Sequence, residues 1–136
     1  MNKITISTSI NRNINDVWDH FTNPEHITKW NFASDDWCCP SASNDLRPGG
    51  KLTSRMEAKD GSMGFDFGGT YTNIKTNELL EYVLEDGREV TVSFKGNNGK
   101  VDILETFDPE GENDPEFQRQ GWQAILNNFK KYSESA

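Results

Sequence analysis

Three dipeptides, Asp60-Gly61, Asp86-Gly87 and Asn98-Gly99, each separate stretches in which apolar and polar residues alternate. An Asp-Gly or Asn-Gly pair between alternating runs is the strongest short-range hairpin signal, because both central residues of a type I′ turn need φ > 0. The three pairs therefore predict consecutive antiparallel hairpins. The alternation stops at Phe107, and a helix-type segment from Pro115 to Tyr132 follows. A meander of hairpins closed by one long helix can enclose a space between them.

The strands can be assigned by parity. Leu52, Ser54, Met56 and Ala58 share one face, with Lys51, Thr53, Arg55 and Glu57 on the other. Gly64 to Asn73 is the next strand, and its Gly68-Gly69 pair predicts a bulge, a bend or close approach by another element. After a turn at Thr76-Asn77-Glu78, Leu79 to Glu85 and Arg88 to Lys95 form the hairpin around Asp86-Gly87. Val101, Ile103 and Phe107 share a face of the last strand.

Ahead of this meander, Ile4 and Ile6 alternate in a strand over residues 3–10. Asn13-x-x-Asp16 resembles a capping box for a short helix carrying Val17, Trp18 and Phe21. Asn23-Pro24-Glu25 restarts a second helical piece with Ile27 and Trp30. Residues 31–50 show no clear period and read as an aromatic-bearing loop that ends in the turn Arg47-Pro48-Gly49-Gly50. In the closing helix, Asn113-x-x-Glu116 fits a capping box, and Trp122, Ile125, Leu126, Phe129 and Tyr132 form one apolar stripe. Gly121 weakens a helix and implies a tight contact there. Ser133 to Ala136 reads as a frayed tail.

At 136 residues the chain is expected to form one domain, residues 1–136. Its net charge is −8 and its densest basic spot is Lys130-Lys131, which disfavours nucleic acid and anionic membrane surfaces as partners. No stretch approaches the ~20 apolar residues of a membrane span, and the N-terminal residues lack the apolar core of a signal peptide. Cys38 and Cys39 are adjacent and suit no disulfide framework, so a reduced, cytoplasmic protein is expected. Oligomeric state is left open between monomer and homodimer.

The order strand, two short helices, about six strands and one long helix resembles the helix-grip, START-like (SRPBCC) superfamily. Within it, the chain is most similar to the group related to the activator of the heat-shock-protein-90 ATPase. Asn15-Asp16-Val17-Trp18-Asp19-His20-Phe21-Thr22-Asn23-Pro24-Glu25 through Trp30 looks like that group's entry helix pair. Leu46-Arg47-Pro48-Gly49-Gly50-Lys51-Leu52 looks like its strand-turn signature, and Gly69-Thr70-Tyr71 before Leu79-Leu80-Glu81-Tyr82 like its central hairpin. Gly121-Trp122-Gln123 through Leu126 looks like the start of its closing helix. The resemblance implies an α+β helix-grip fold, β-α-α-β(6)-α, in which a curved antiparallel sheet surrounds a long C-terminal helix with a cavity between. Members bind apolar small molecules, act as cyclases or assist chaperones, so the fold alone does not choose a function.

The expected cavity wall comprises Trp18, Trp30, Phe32, Trp37, Met56, Phe65, Phe67 and Phe94, faced by Trp122, Ile125 and Phe129 from the helix. The same rings would equally serve to fill a solid core. Among the strand charges Arg55, Asp66, Glu81 and Glu105, Glu105 has the parity of Val101, Ile103 and Phe107 and is expected to point inward, whereas Arg55 is expected to face out. A carboxyl facing an apolar space has a raised pKa and can move protons. His20, His26, Cys38 and Cys39 lack metal-ligand spacing and read as capping or core residues, so no metal or cofactor is expected. The leading reading is a binder of a small apolar or amphipathic ligand. A co-chaperone-like interaction module and a cyclase- or hydratase-type enzyme are the alternatives.

Overall fold

The computed structural model describes residues 3–136; the first two residues of the expected domain lie outside them. The chain runs β1 (Ile4–Ile10), α1 (Ile14–Thr22), α2 (Pro24–Ile27), β2 (Trp37–Asn44), β3 (Lys51–Ala58), β4 (Gly64–Lys75), β5 (Leu79–Leu84), β6 (Glu89–Asn97), β7 (Lys100–Phe107) and α3 (Pro115–Ser135). The strands form one antiparallel sheet in the order β1-β7-β6-β5-β4-β3-β2. β1 closes the order beside the last strand of the meander, and α3 packs over it: Gln123 Nε2 donates to the Ser7 carbonyl at 3.1 Å, and Lys130 Nζ donates to that of Ser9. This is the α+β helix-grip arrangement, an antiparallel sheet around a closing helix.

Each of the three hairpin signals falls at a turn of the meander, but only one has the expected geometry. Asn98 and Gly99 have φ of +53° and +79°, as a type I′ turn requires. At the other two sites the glycine alone is left-handed, at +79° for Gly61 and +90° for Gly87. Around Gly87, the Leu84 carbonyl accepts from Gly87 N at 2.9 Å, and Leu84 N donates to the Arg88 carbonyl at 2.8 Å. That is a three-residue loop, a type I turn followed by a left-handed glycine. The aspartates favour it because their carboxylates accept the backbone N–H two residues on, Ser62 for Asp60 and Arg88 for Asp86.

The segment expected to be loop holds a strand. β2 pairs with β3, with a register shift between Cys38 and Ser41. Pro40 falls in that interruption, on the edge strand, where a missing N–H leaves no ladder partner unsatisfied. The Gly68-Gly69 pair is not a bulge, since its register is continuous on both sides and the shift comes at Tyr71/Asn73. It permits close approach: a Cβ on Gly69 would lie 2.6 Å from the Val83 carbonyl oxygen.

Both N-terminal helices begin where the caps were expected. Asn13 Oδ1 accepts from Asp16 N at 2.9 Å, and Asn23 Oδ1 from Glu25 N at 3.0 Å. α3 departs from expectation in three places. Its N-cap is Asp114, not Asn113, with Oδ1 accepting from Glu116 N at 3.0 Å. Asp114 is one residue closer to Pro115, which takes the first helical position. Gly121 is not in a tight contact, for a Cβ there would meet nothing within 4 Å. The C-terminal end does not fray, because Ser133 is fully buried and bonds His20 Nδ1 at 2.8 Å, while Glu134 accepts from Asn11 N at 2.8 Å.

The core lies between the sheet and α3. Val90, Val92, Val101, Ile103 and Phe107 project from β6 and β7 toward Leu126 and Phe129, and all are essentially inaccessible. Burying each such side chain stabilises the fold by about 1.5–3 kcal/mol. Phe129 meets Phe21 and Trp30 edge-on, at 5.1 and 4.9 Å between ring centroids, which anchors the C-terminal half of α3 against α1 and the turn after α2.

Candidate functional site: an aromatic cavity with one buried carboxyl

In the N-terminal half of α3, Trp122 carries the aromatic contacts to the inner face of the sheet. Trp122 stacks on Phe107 of β7, centroids 3.9 Å apart and planes within 9°, and meets Phe67 of β4 edge-on at 6.0 Å. Between these contacts and the Phe129 cluster remains a cavity of about 310 Å³. That lies at the lower end of the range for small-molecule sites. Trp122, Ile125 and Leu126 form its helix wall; Leu52, Met56, Phe65, Phe67, Tyr71, Leu80 and Tyr82 form the sheet wall; Phe21, Ile27, Trp30 and Asn31 close one side. Phe65 is half exposed, so it stands where the cavity meets solvent.

Polar groups on this lining are few, and those of Tyr71, Asn44 and Arg88 have partners. Tyr71 Oη donates to Asn44 Oδ1 at 2.6 Å, and Asn44 Nδ2 donates to the Thr22 carbonyl at 2.7 Å. Arg88 Nε is held by Asp86 at 2.7 Å. Glu105 differs. Cross-strand pairing puts it opposite Ile6 on one side and Val92 on the other, both buried, so its carboxyl points to the inner face. It is only 8% exposed, and no ion pair reaches it among the described residues. Burial alone pushes its pKa up to about 8, with no neighbouring charge contributing. Burial also pushes the Tyr82 phenol well up, and the charge of Glu105 adds to that. At neutral pH the lining thus offers one neutral, ionisable carboxyl in apolar surroundings.

Of the twelve expected wall residues, seven line the cavity: Trp30, Met56, Phe65, Phe67, Glu105, Trp122 and Ile125. Trp18, Phe32, Trp37, Phe94 and Phe129 do not. Trp18 and Phe94 are buried against each other at 5.2 Å, where α1 covers β6 and leaves no space. Phe129 is consumed by the Phe21–Trp30 cluster. Trp37 packs at 6.0 Å on Phe65, beyond the rim, and Phe32 lies half-buried in the turn after α2. Ten further lining residues were not expected there, Phe21, Tyr71, Leu80 and Tyr82 among them. Leu80, Tyr82 and Leu84 alternate strictly, and that signal put them on one face.

Arg55 faces out, as expected, bonding Glu57 and Asp66 on the surface, and Glu81 is held by Asn73. The histidines do not converge on the cavity. The His20 and His26 rings lie 4.7 Å apart and tilted by 56°, and three of their ring nitrogens are taken up by Ser133, Tyr132 and Asp19. Burial pushes the Cys39 thiol up, which makes it a poorer nucleophile. Among the described residues, no three His, Cys, Asp or Glu side chains are grouped as a metal site would need. No helix among the described residues is long and apolar enough to cross a membrane.

The family model described as Activator of Hsp90 ATPase homolog 1-like protein matches residues 11–134. The solution structure of an AHSA1-like protein from Aeromonas hydrophila is 44% identical, with 98% of this chain and 93% of that chain covered and a TM-score of 0.93. A solution structure from Cytophaga hutchinsonii is 50% identical over 99% of this chain and 94% of its own, with a TM-score of 0.85. A crystal structure from Chromobacterium violaceum shares the fold at 20% identity, covering 98% of this chain and 99% of its own, with a TM-score of 0.86. None of the curated proteins matches this chain. The matched span runs from before α1 to the last turn of α3 and carries the whole cavity: the chain belongs to the family of Activator of Hsp90 ATPase homolog 1-like proteins.

Proposed function

We propose that this protein binds a small, largely apolar molecule in the cavity between the sheet and the N-terminal half of α3. One observation carries the reading: a space of about 310 Å³, walled by aromatic and aliphatic side chains, with a single unpaired carboxyl turned into it. Removing apolar ligand surface from water contributes about 25 cal/mol per Å² before association costs, and the carboxyl would fix the ligand's orientation. Acid–base catalysis is less well supported, because the only other charged lining residue, Arg88, is tied to Asp86. The unbridged cysteines support residence in a reducing compartment such as the cytoplasm.

Native mass spectrometry of protein purified from its own host tests this. The expected result is a co-purifying small molecule that is lost when Ile125→Trp fills the cavity. A bare protein mass across repeated preparations would count against tight binding.

A further inference from the structure

The ligand must supply what the wall lacks. Glu105 projects from β7 into an apolar space and is paired with no cation among the described residues. The titratable and charged groups that share this lining are Tyr71 from β4, Tyr82 from β5 and Arg88 before β6; α1, α2, α3 and β1 contribute none. Arg88 is committed to Asp86, and Tyr71 to Asn44. An anionic head group would find on this lining no free cation among the described residues to offset the burial of its charge, so fatty-acid-like ligands are disfavoured. The chain's net charge of −8 also repels anions and draws cations toward the surface. Aromatic rings on the same lining, those of Tyr82 and Trp122 among them, attract a cation as well. The cavity holds the volume of about ten water molecules, which limits the occupant to roughly that many non-hydrogen atoms.

Building on the binding reading above, we infer that the cavity selects a small lipophilic amine, whose aromatic or aliphatic body fills the apolar space and whose ammonium group pairs with the Glu105 carboxylate. Binding then ionises Glu105: the ammonium favours the carboxylate and the displaced proton leaves to solvent. A neutral ligand that merely accepts a hydrogen bond from the carboxyl would release no proton.

Isothermal titration calorimetry with three isosteric probes separates the cases: 2-phenylethylamine, 2-phenylethanol and phenylacetate, each at pH 7 in two buffers of different ionisation enthalpy. The amine is expected to bind at least about tenfold more tightly than the alcohol, the factor given by one charge-assisted hydrogen bond, and phenylacetate most weakly. Amine binding should release about 0.9 proton, because a carboxyl titrating at about 8 is mostly protonated at pH 7. In Glu105→Gln the amine preference and the proton release should both disappear, while 2-phenylethanol binding persists. If that variant fails to fold, proton release in the natural protein still decides the matter. Alcohol binding equal to or tighter than the amine's, or amine binding with no proton release, overturns the amine inference and leaves the cavity reading standing. Binding of none of the three overturns both.

Discussion

Trp122 of α3 lies flat on Phe107 of β7, with ring centroids 3.9 Å apart and planes 9° from parallel. This stack is the prop that keeps the N-terminal half of α3 off the sheet, while the Phe129 cluster pulls the other half in. Trp122→Ala should therefore destabilise the protein by about 3 kcal/mol, the low end for a large aromatic because Trp122 is only partly buried. Phe117→Ala, five residues earlier and 69% exposed, should change stability by less than about 0.5 kcal/mol. Urea denaturation of the two variants checks the pair, and equal losses would refute the prop.

Glu105 predicts an unusual dependence of stability on pH. Its folded pKa, about 8, lies above the ordinary 4.5, so the folded state holds a proton that the unfolded chain releases. Its contribution is fully present below pH 4.5, falls as pH rises, and is lost above pH 8. Relative to Glu105→Gln, the natural protein should lose on the order of 3–5 kcal/mol between pH 5 and 8. Denaturant midpoints of both proteins across that range measure the difference; a constant difference would show that water reaches the carboxyl.

His20 acts in the opposite direction. Burial first, and His26 second, hold its pKa below the ordinary 6.5. The unfolded chain then binds more protons at low pH, so stability falls as pH drops below 6.5. His20→Asn keeps a polar group within reach of Ser133 and removes the titration. Its stability should fall less steeply than the natural protein's from pH 7 to 5, read by thermal denaturation at each pH. Parallel slopes would exclude His20 as the source.

Two glycines should respond with opposite signs. Gly69→Ala forces a Cβ to within 2.6 Å of the Val83 carbonyl oxygen, in backbone that cannot yield cheaply, and should cost about 1–3 kcal/mol. Gly121→Ala meets nothing within 4 Å inside a helix and should stabilise by about 0.5–1 kcal/mol. Thermal midpoints in opposite directions are the expected outcome.

The contrast between these glycines shows how far local sequence reaches. Gly121 invited the reading of a packed helix because glycine is costly there, yet cost does not reveal what faces it. The stripe Trp122 to Tyr132 was legible because a 3.6-residue period survives any packing partner. β2 was not, because an edge strand carrying Cys-Cys-Pro with a register shift has lost its two-residue period. Glu105 was legible from parity on a regular strand. Trp18, Phe94 and Phe129 were assigned to the cavity because ring size does not tell a wall from a plug; only their mutual distances do.

The proposed binding site is the space beneath Trp122. Nuclear Overhauser contacts between isotope-labelled protein and bound 2-phenylethylamine or 2-phenylethanol test it most directly. Contacts from the probe's ring to Trp122, Ile125 and Tyr82 are expected. Contacts confined to residues outside the cavity, or none with either probe at saturating concentration, would contradict it.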